Sequence, residues 1–218
     1  MAELWTSLFL SLRIALAATA LAAGAAIPIA YLLARRSFPG KFIVETILTV
    51  PLILPPTVVG YLIIIALGIQ SPVGKWMDAV FGFRMLFTLA GAVVAAAVVA
   101  FPLLLLPARA AFAGVERELE EVARLMGAGR ISVFWHVSLP LARRGIAGGL
   151  LLAFARALGE FGATVMVFGM ARKTLPVLVW YYDSFSGMSD AAPAVCVLLA
   201  VSLLVMGVYN RSGLGRQE

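Results

Sequence analysis

The chain is short of charge, of cysteine and of histidine. Only 13% of its 218 residues are Asp, Glu, Lys or Arg, against 62% hydrophobic. Ordinary soluble domains carry roughly 25% charged and 45–50% apolar residues. So few charges cannot cover a soluble globule of this size, and the same composition excludes a disordered chain. The single cysteine, Cys196, lies in an apolar run and cannot close an internal disulfide. One cysteine and one histidine, His136, are too few for a structural zinc site, so no metal site is expected. A phosphate-binding loop is missing as well. Its nearest approach, Gly68 to Trp76, has one residue too many between Gly68 and Gly74, and Trp76 stands where Ser or Thr is needed. The chain is therefore not expected to hydrolyse ATP.

What is there reads as an all-α polytopic membrane protein. At ~20 residues per helical span, the length holds about five or six crossings and no second globular domain. The expected spans are 8–33, 42–69, 85–106, 146–168 and 191–209 within one transmembrane domain, residues 1–218. The first is rich in Ala and Gly, which let helices approach closely in lipid. It is too long, and Glu3 before it too acidic, for a secretory signal peptide. The second contains Pro51, Pro55 and Pro56 and is expected to be kinked or broken, facing protein or a water-filled cavity. The third is expected to end at Pro102 and Pro107. Residues 174–185, with Trp180, Tyr181 and Tyr182, are too short to cross and suit the interface as a short or partial span.

The net charge is +6, from 17 Lys/Arg against 11 Asp/Glu. In a polytopic chain such an excess marks loops kept in the cytoplasm, not a nucleic-acid surface. One set of loops holds Arg35, Arg36, Lys41, Arg109, the arginines between 117 and 144, Arg211 and Arg216. The other set holds only Lys75, Arg84, Arg172 and Lys173, while Arg13 and Arg156 fall inside spans. The N-terminus is thus expected outside and the C-terminus inside, with residues 108–144 the largest cytoplasmic loop. That loop opens with an amphipathic helix, 116–126, whose stripe is Val115, Leu119, Val122 and Met126, with Glu116, Glu118, Glu120 and Glu121 opposite. Gly127 and Gly129 end it, and a second amphipathic stretch, 131–139, carries Val133, Phe134, Trp135 and Val137 before Pro140 stops it. Large apolar side chains on a cytosolic loop either meet a protein partner or fold back onto the spans.

Glu121-Val122-Ala123, three residues, Gly127, nine residues and Val137-Ser138-Leu139-Pro140 resemble the EAA signature of bacterial ABC importer permeases, with Val122 and Val137 as mild departures. The resemblance covers nearly the whole chain and implies a MetI-like type I permease fold. It implies that the loop docks in a cleft of a separate ATPase subunit, which would hold the ATP and Mg, while this chain binds no cofactor. Glu121 and Gly127 would fix the turn, with Ala123 among the coupling residues. Val133, Phe134, Trp135, Val137, Leu139 and Pro140 would form the docking element, with Phe134 and Trp135 as the buried contact. It further implies a homodimer with two ATPase subunits and an extracytoplasmic oxyanion-binding protein, in the bacterial inner membrane.

In the fourth span, Arg156 and Glu160 lie four residues apart, on one helical face. Each costs ~2.5–3.5 kcal/mol near the bilayer centre, so they are expected to neutralise one another. The pair is either an anion-path arginine held by a carboxylate or a structural salt bridge. Gly159, Gly162, Thr164, Pro55 and Pro56 complete the candidate path. Arg156–Thr164 also resembles the permeases of the sulfate and molybdate importer group, and the short chain resembles the molybdate branch. The cargo implied is a tetrahedral oxyanion: molybdate, with tungstate or sulfate/thiosulfate as alternatives. An ATP-independent transporter is disfavoured because no inverted repeat is visible in the two halves. An intramembrane protease is disfavoured because His136 lies in the cytosolic loop rather than at membrane depth.

Overall fold

The structure, a computed structural model, describes residues 2–170 and 172–211; Arg216, counted above among the inside charges, lies outside them. All regular elements among the described residues are helical. The centre of the bundle is α1 (Ala2–Arg35), α5 (Leu89–Ala113) and α8 (Leu139–Leu158). Ala15, Ala18, Ala22, Ala26 and Ala30 recur every three or four residues on α1 and are buried against Ala92, Ala96, Ala100 and Ala108 of α5. Without a hydrophobic driving force between helices in lipid, such small side chains let the backbones come close enough for dispersion to hold them.

α5 does not end where its prolines suggested. Pro102 and Pro107 both lie inside the helix, which runs on to Ala113. Each proline removes one backbone bond, but the neighbouring helices hold the segment, and Pro102 is fully buried between them. Pro140 likewise fails to stop its helix. A short α7 (Arg130–Val133) passes through a π-turn, Phe134–Ser138, straight into α8, and the three make one candidate span, Arg130–Leu158. In the widened turn the Leu139 N–H bonds the Phe134 carbonyl, five residues back, and Pro140's missing donor is absorbed there.

Two expected spans are broken. α2 (Lys41–Thr49) and a 3-10 turn, Val50–Leu52, precede Pro55, and α3 (Pro56–Leu67) leaves at 115° to them. Span 146–168 is not one helix: α8 stops at Leu158 and α9 (Gly162–Phe168) follows after Gly159, Glu160 and Phe161. A short α4 (Pro72–Phe81) follows α3; its Ser71 cap accepts from the Gly74 N–H at 2.8 Å, and a side chain at Gly74 would collide with the Gly68 carbonyl. The Gly68–Lys75 stretch is thus a tight helix start. Among the described residues four helices are long and apolar enough to cross a membrane, or five if the α2/α3 pair counts as one span.

α1 also sets the two ends of the molecule. At its C-terminal end it meets the loop that carries α6 (Arg117–Leu125), through Arg35 and Glu120. At its N-terminal end it meets α10 (Leu175–Phe185), where the Leu175 N–H donates to Ser11 Oγ at 2.8 Å. α10 is the expected short helix, and α11 (Met188–Arg211) covers it through Ala194 on Leu175 and Leu178.

Candidate functional site

Two constructions stand out. The first is the finger between α5 and α8. Helix α6 ends in a Schellman turn: Gly127 adopts φ 91°, its N–H bonds the Arg124 carbonyl at 3.0 Å, and the Ala128 N–H bonds the Ala123 carbonyl at 3.0 Å. The spacing from Ala123 to Gly127 in the signature is the spacing this cap requires. Gly129 does not share the role; its φ is −69°. A side chain at Gly127 would meet nothing within 4 Å, so substitution there strains only the backbone. Gly127→Val, β-branched at positive φ, is expected to distort the turn and sharply lower ATPase capture in a pull-down, while Gly127→Asn is tolerated.

The finger turns most of its apolar face outward, one of the two arrangements its sequence allows. Leu119, Val122 and Met126 (83%) of the apolar stripe are exposed, as is Leu125 (88%) beside them, while Val115 at the start of the stripe is buried. Ile131 and Trp135 extend the patch, together with Glu121 on the same helix. The inward residue of α6 is Glu120, 3% exposed. Its Oε1 accepts from Arg35 Nε at 2.8 Å and from Ser138 Oγ at 2.7 Å, and its Oε2 pairs with Arg124 at 3.1 Å. Arg35 also donates to the Val115 carbonyl at 2.9 Å. One buried carboxylate thus ties the end of α1, α6 and the π-turn together.

Phe134 is corrected by the same geometry. It is not an exposed aromatic at the tip. It is half-buried, with its ring 5.0 Å from Tyr31 and 6.1 Å from Phe112, and Val133 beside it is fully buried. Both are struts that hold the finger to its own bundle, while Trp135 stays out. Val137 and Leu139 are half-buried, Ala123 is half-buried, and Pro140 is exposed. Glu120, Arg35 and Ser138 escaped the sequence reading. Nothing in the glutamate run 116–121 distinguishes the inward one, and Arg35 lies 85 residues away.

The second construction is where the two broken spans touch. α9 lies on α3. A Cβ at Gly162 would come within 3.1 Å of Pro56 Cβ and of the Thr57 backbone nitrogen. A Cβ at Gly60 would come within 2.9 Å of both Ala163 Cα and Met166 Cβ. Gly162 is therefore a close-approach glycine. Gly159 is not; it is exposed and its Cβ would meet only the carbonyl of Ala155, at 3.7 Å. Arg156 and Glu160 do pair, at 2.7 Å, but Glu160 has left the helix. Its other oxygen accepts the Ala163 N–H at 2.8 Å, so the carboxylate caps α9 as well. Glu160 and Thr164 are buried, while the Arg156 side chain keeps 30% exposure. Pro55, which caps α3, is exposed at the outer edge of this junction, and Pro56 is half-buried within it.

A small-residue helical bundle with an outward apolar finger and two abutting broken spans is that of a polytopic membrane protein. Residues 26–213 match the family model described as the binding-protein-dependent transport system inner membrane component, and the chain belongs to that family. It is 39% identical over 208 residues to the molybdenum transport system permease protein ModB of Escherichia coli strain K12, covering 92% of this chain and 91% of that protein. It is 32% identical over 184 residues to the molybdate/tungstate transport system permease protein WtpB of Pyrococcus abyssi, covering 84% and 68%. Its fold is similar to a chain of the MetNI methionine ABC transporter, with a TM-score of 0.74 at 17% identity over 99% of this chain and 98% of that one. The family expected from the EAA spacing is borne out, as is the type I permease fold. The chain is a multi-pass inner-membrane transport component, and the ATPase and the binding protein are separate partners.

Proposed function

We propose that this chain is the permease subunit of an ATP-driven molybdate importer. The observation that carries the reading is the identity to molybdenum permeases along nearly the whole chain, joined to a finger whose apolar face points away from the bundle. The exposed patch around Leu125, Met126, Ile131 and Trp135 docks in an ATPase subunit, which holds ATP and Mg; this chain binds no cofactor. Residues 1–218 act as one transmembrane domain, with a core of about 8–209 and a coupling loop at 108–144. The finger is cytoplasmic, with the N-terminus outside and the C-terminus inside, in keeping with the arginine-rich loops.

Two copies form the transporter, with two ATPase subunits and one extracytoplasmic oxyanion-binding protein. The interior of α1, α5 and α8 is filled by buried alanines, which favours a path between copies. ATP binding closes the ATPase pair, and the finger carries that closure to the spans. The junction of α3 with α9 is the hinge and gate. The closure moves the equilibrium only because the two states differ in free energy of contact with the closed ATPases. The likeness to a molybdate/tungstate permease favours tungstate as a second cargo.

The test is uptake into vesicles containing this chain, its ATPase and its binding protein, offered molybdate, tungstate, sulfate and phosphate. ATP-dependent accumulation of molybdate with sulfate excluded is expected. A preference for sulfate, or uptake without ATP, overturns the reading. In the same assay Arg156→Ala is expected to lower uptake several-fold more than Lys75→Ala, because Arg156 neutralises a buried carboxylate and Lys75 is an exposed residue of α4.

A further inference from the structure

We propose that the end of α1 remote from the finger carries a second anion site, in which Arg13, Arg172 and Lys173 receive a tetrahedral oxyanion. Residues 14–34 of α1 contain no Asp, Glu, Lys or Arg. At 1.5 Å per residue they span about 30 Å, one hydrocarbon thickness. Arg35 marks one boundary, where Glu120 holds it. Arg13 therefore stands at the other boundary, at the level of the outer headgroups. The charge-free run thus places Arg13 at the edge of the span rather than inside it.

Around it lies a cavity of about 540 Å³ whose polar lining is Glu3, Thr6, Ser7, Arg13, Arg172 and Lys173. The one carboxylate there is already engaged. Glu3 Oε1 accepts from Lys173 Nζ at 2.9 Å and Oε2 from the Tyr182 hydroxyl at 2.9 Å. Lys173 is held further by the Tyr181 ring, 4.1 Å below it. Arg13 and Arg172 are both exposed and have no ion-pair partner among the described residues. Three cations against one neutralised carboxylate, two of them guanidinium forks, form a cradle for a phosphate-like group.

Two sources present that chemistry at this level: the phosphodiester of an anionic lipid, and a free oxyanion on its way to the path. The second source rests on the cargo and orientation proposed above; the first rests on the orientation alone. The experiment uses the assembled transporter in nanodiscs. One arm compares phosphatidylcholine discs with and without phosphatidylglycerol and counts retained lipid by mass spectrometry. The other follows thermal melting in pure phosphatidylcholine as inorganic phosphate or molybdate is added.

Wild type is expected to retain phosphatidylglycerol or to be stabilised by the free anion. R13Q/R172Q is expected to weaken that binding by about fivefold for each cation removed, and R13K/R172K, which keeps the charge and loses the forks, to weaken it less. Lipid retention without a response to free anions assigns the headgroup; a response to free anions in phosphatidylcholine assigns the free oxyanion. Wild type that does neither, or R13Q/R172Q that equals wild type in both arms, overturns the site. Neither arm measures transport, so failure here is read separately from failure of the uptake assay.

Discussion

Gly60→Val is expected to abolish most uptake while leaving the protein in the membrane. The site admits no side chain: a Cβ there would lie 2.9 Å from Ala163 Cα, a backbone atom, and 2.9 Å from Met166 Cβ. Neither can swing aside as the end of a flexible side chain can. Valine adds two further methyl groups to that wedge. Overpacking of this kind costs about 1–3 kcal/mol. The strain does not fall on an inert contact. Gly60 is in α3 and Ala163 in α9, the two halves that follow the breaks at Pro55 and Glu160. A bias of about 1–3 kcal/mol toward one state of a two-state switch shifts its population about 5- to 150-fold. Gly24→Val is the matched control, since a Cβ at Gly24 meets nothing within 4 Å. ATP-driven uptake in vesicles, normalised to inserted protein, checks both. Normal uptake by Gly60→Val would remove the α3–α9 junction from the mechanism.

The contrast between these glycines shows how much of the molecule was legible in its residues. The apolar runs fixed the class of protein because lipid leaves so few alternatives. The EAA spacing located the finger because a Schellman cap ties Ala123 to Gly127 within a few residues. Local constraints of that kind can be read from a chain. The places where reading failed are those decided by distant neighbours. Pro102, Pro107 and Pro140 were read as helix ends, and each lies within a continuous helical run because surrounding helices or a π-turn absorb the lost bond. Span 146–168 carried no proline and still broke, because Glu160 left the helix to cap the next one while keeping Arg156. The stripe on α6 is legible, while its direction stays open between a partner and the spans until the EAA spacing favours the partner. Hydrophobic periodicity gives a face and not what the face meets; here the bundle takes the carboxylate and the solvent side takes the leucines.

The buried carboxylate of Glu120 sets the other large expectation. Glu120→Ala should detach the finger. Removing one member of a buried ion pair costs about 3–5 kcal/mol, since the remaining charge is left without a counter-ion. Here the remaining charge is Arg35, whose side chain is only 10% exposed, and Ser138 loses the closer of its two acceptors as well. The spans of α1, α5 and α8 are packed independently of Glu120, so insertion into the membrane should survive while α6 loses its fixed position. The readout is the ratio of cargo moved to ATP hydrolysed by the assembled transporter, with ATPase capture measured beside it; both are expected to fall at least tenfold. Glu118→Ala, on an exposed residue of the same helix, should change neither by more than about twofold, as an exposed charge contributes little. Glu120→Gln keeps the hydrogen-bonding shape without the charge and should fall between. The decisive arm is the double variant Arg35→Ala with Glu120→Ala. If the pair acts as one latch, removing both costs much less than the sum of the single losses. Additive losses would mean that Arg35 and Glu120 act separately, and the finger would then be held by the Phe134–Tyr31–Phe112 cluster instead.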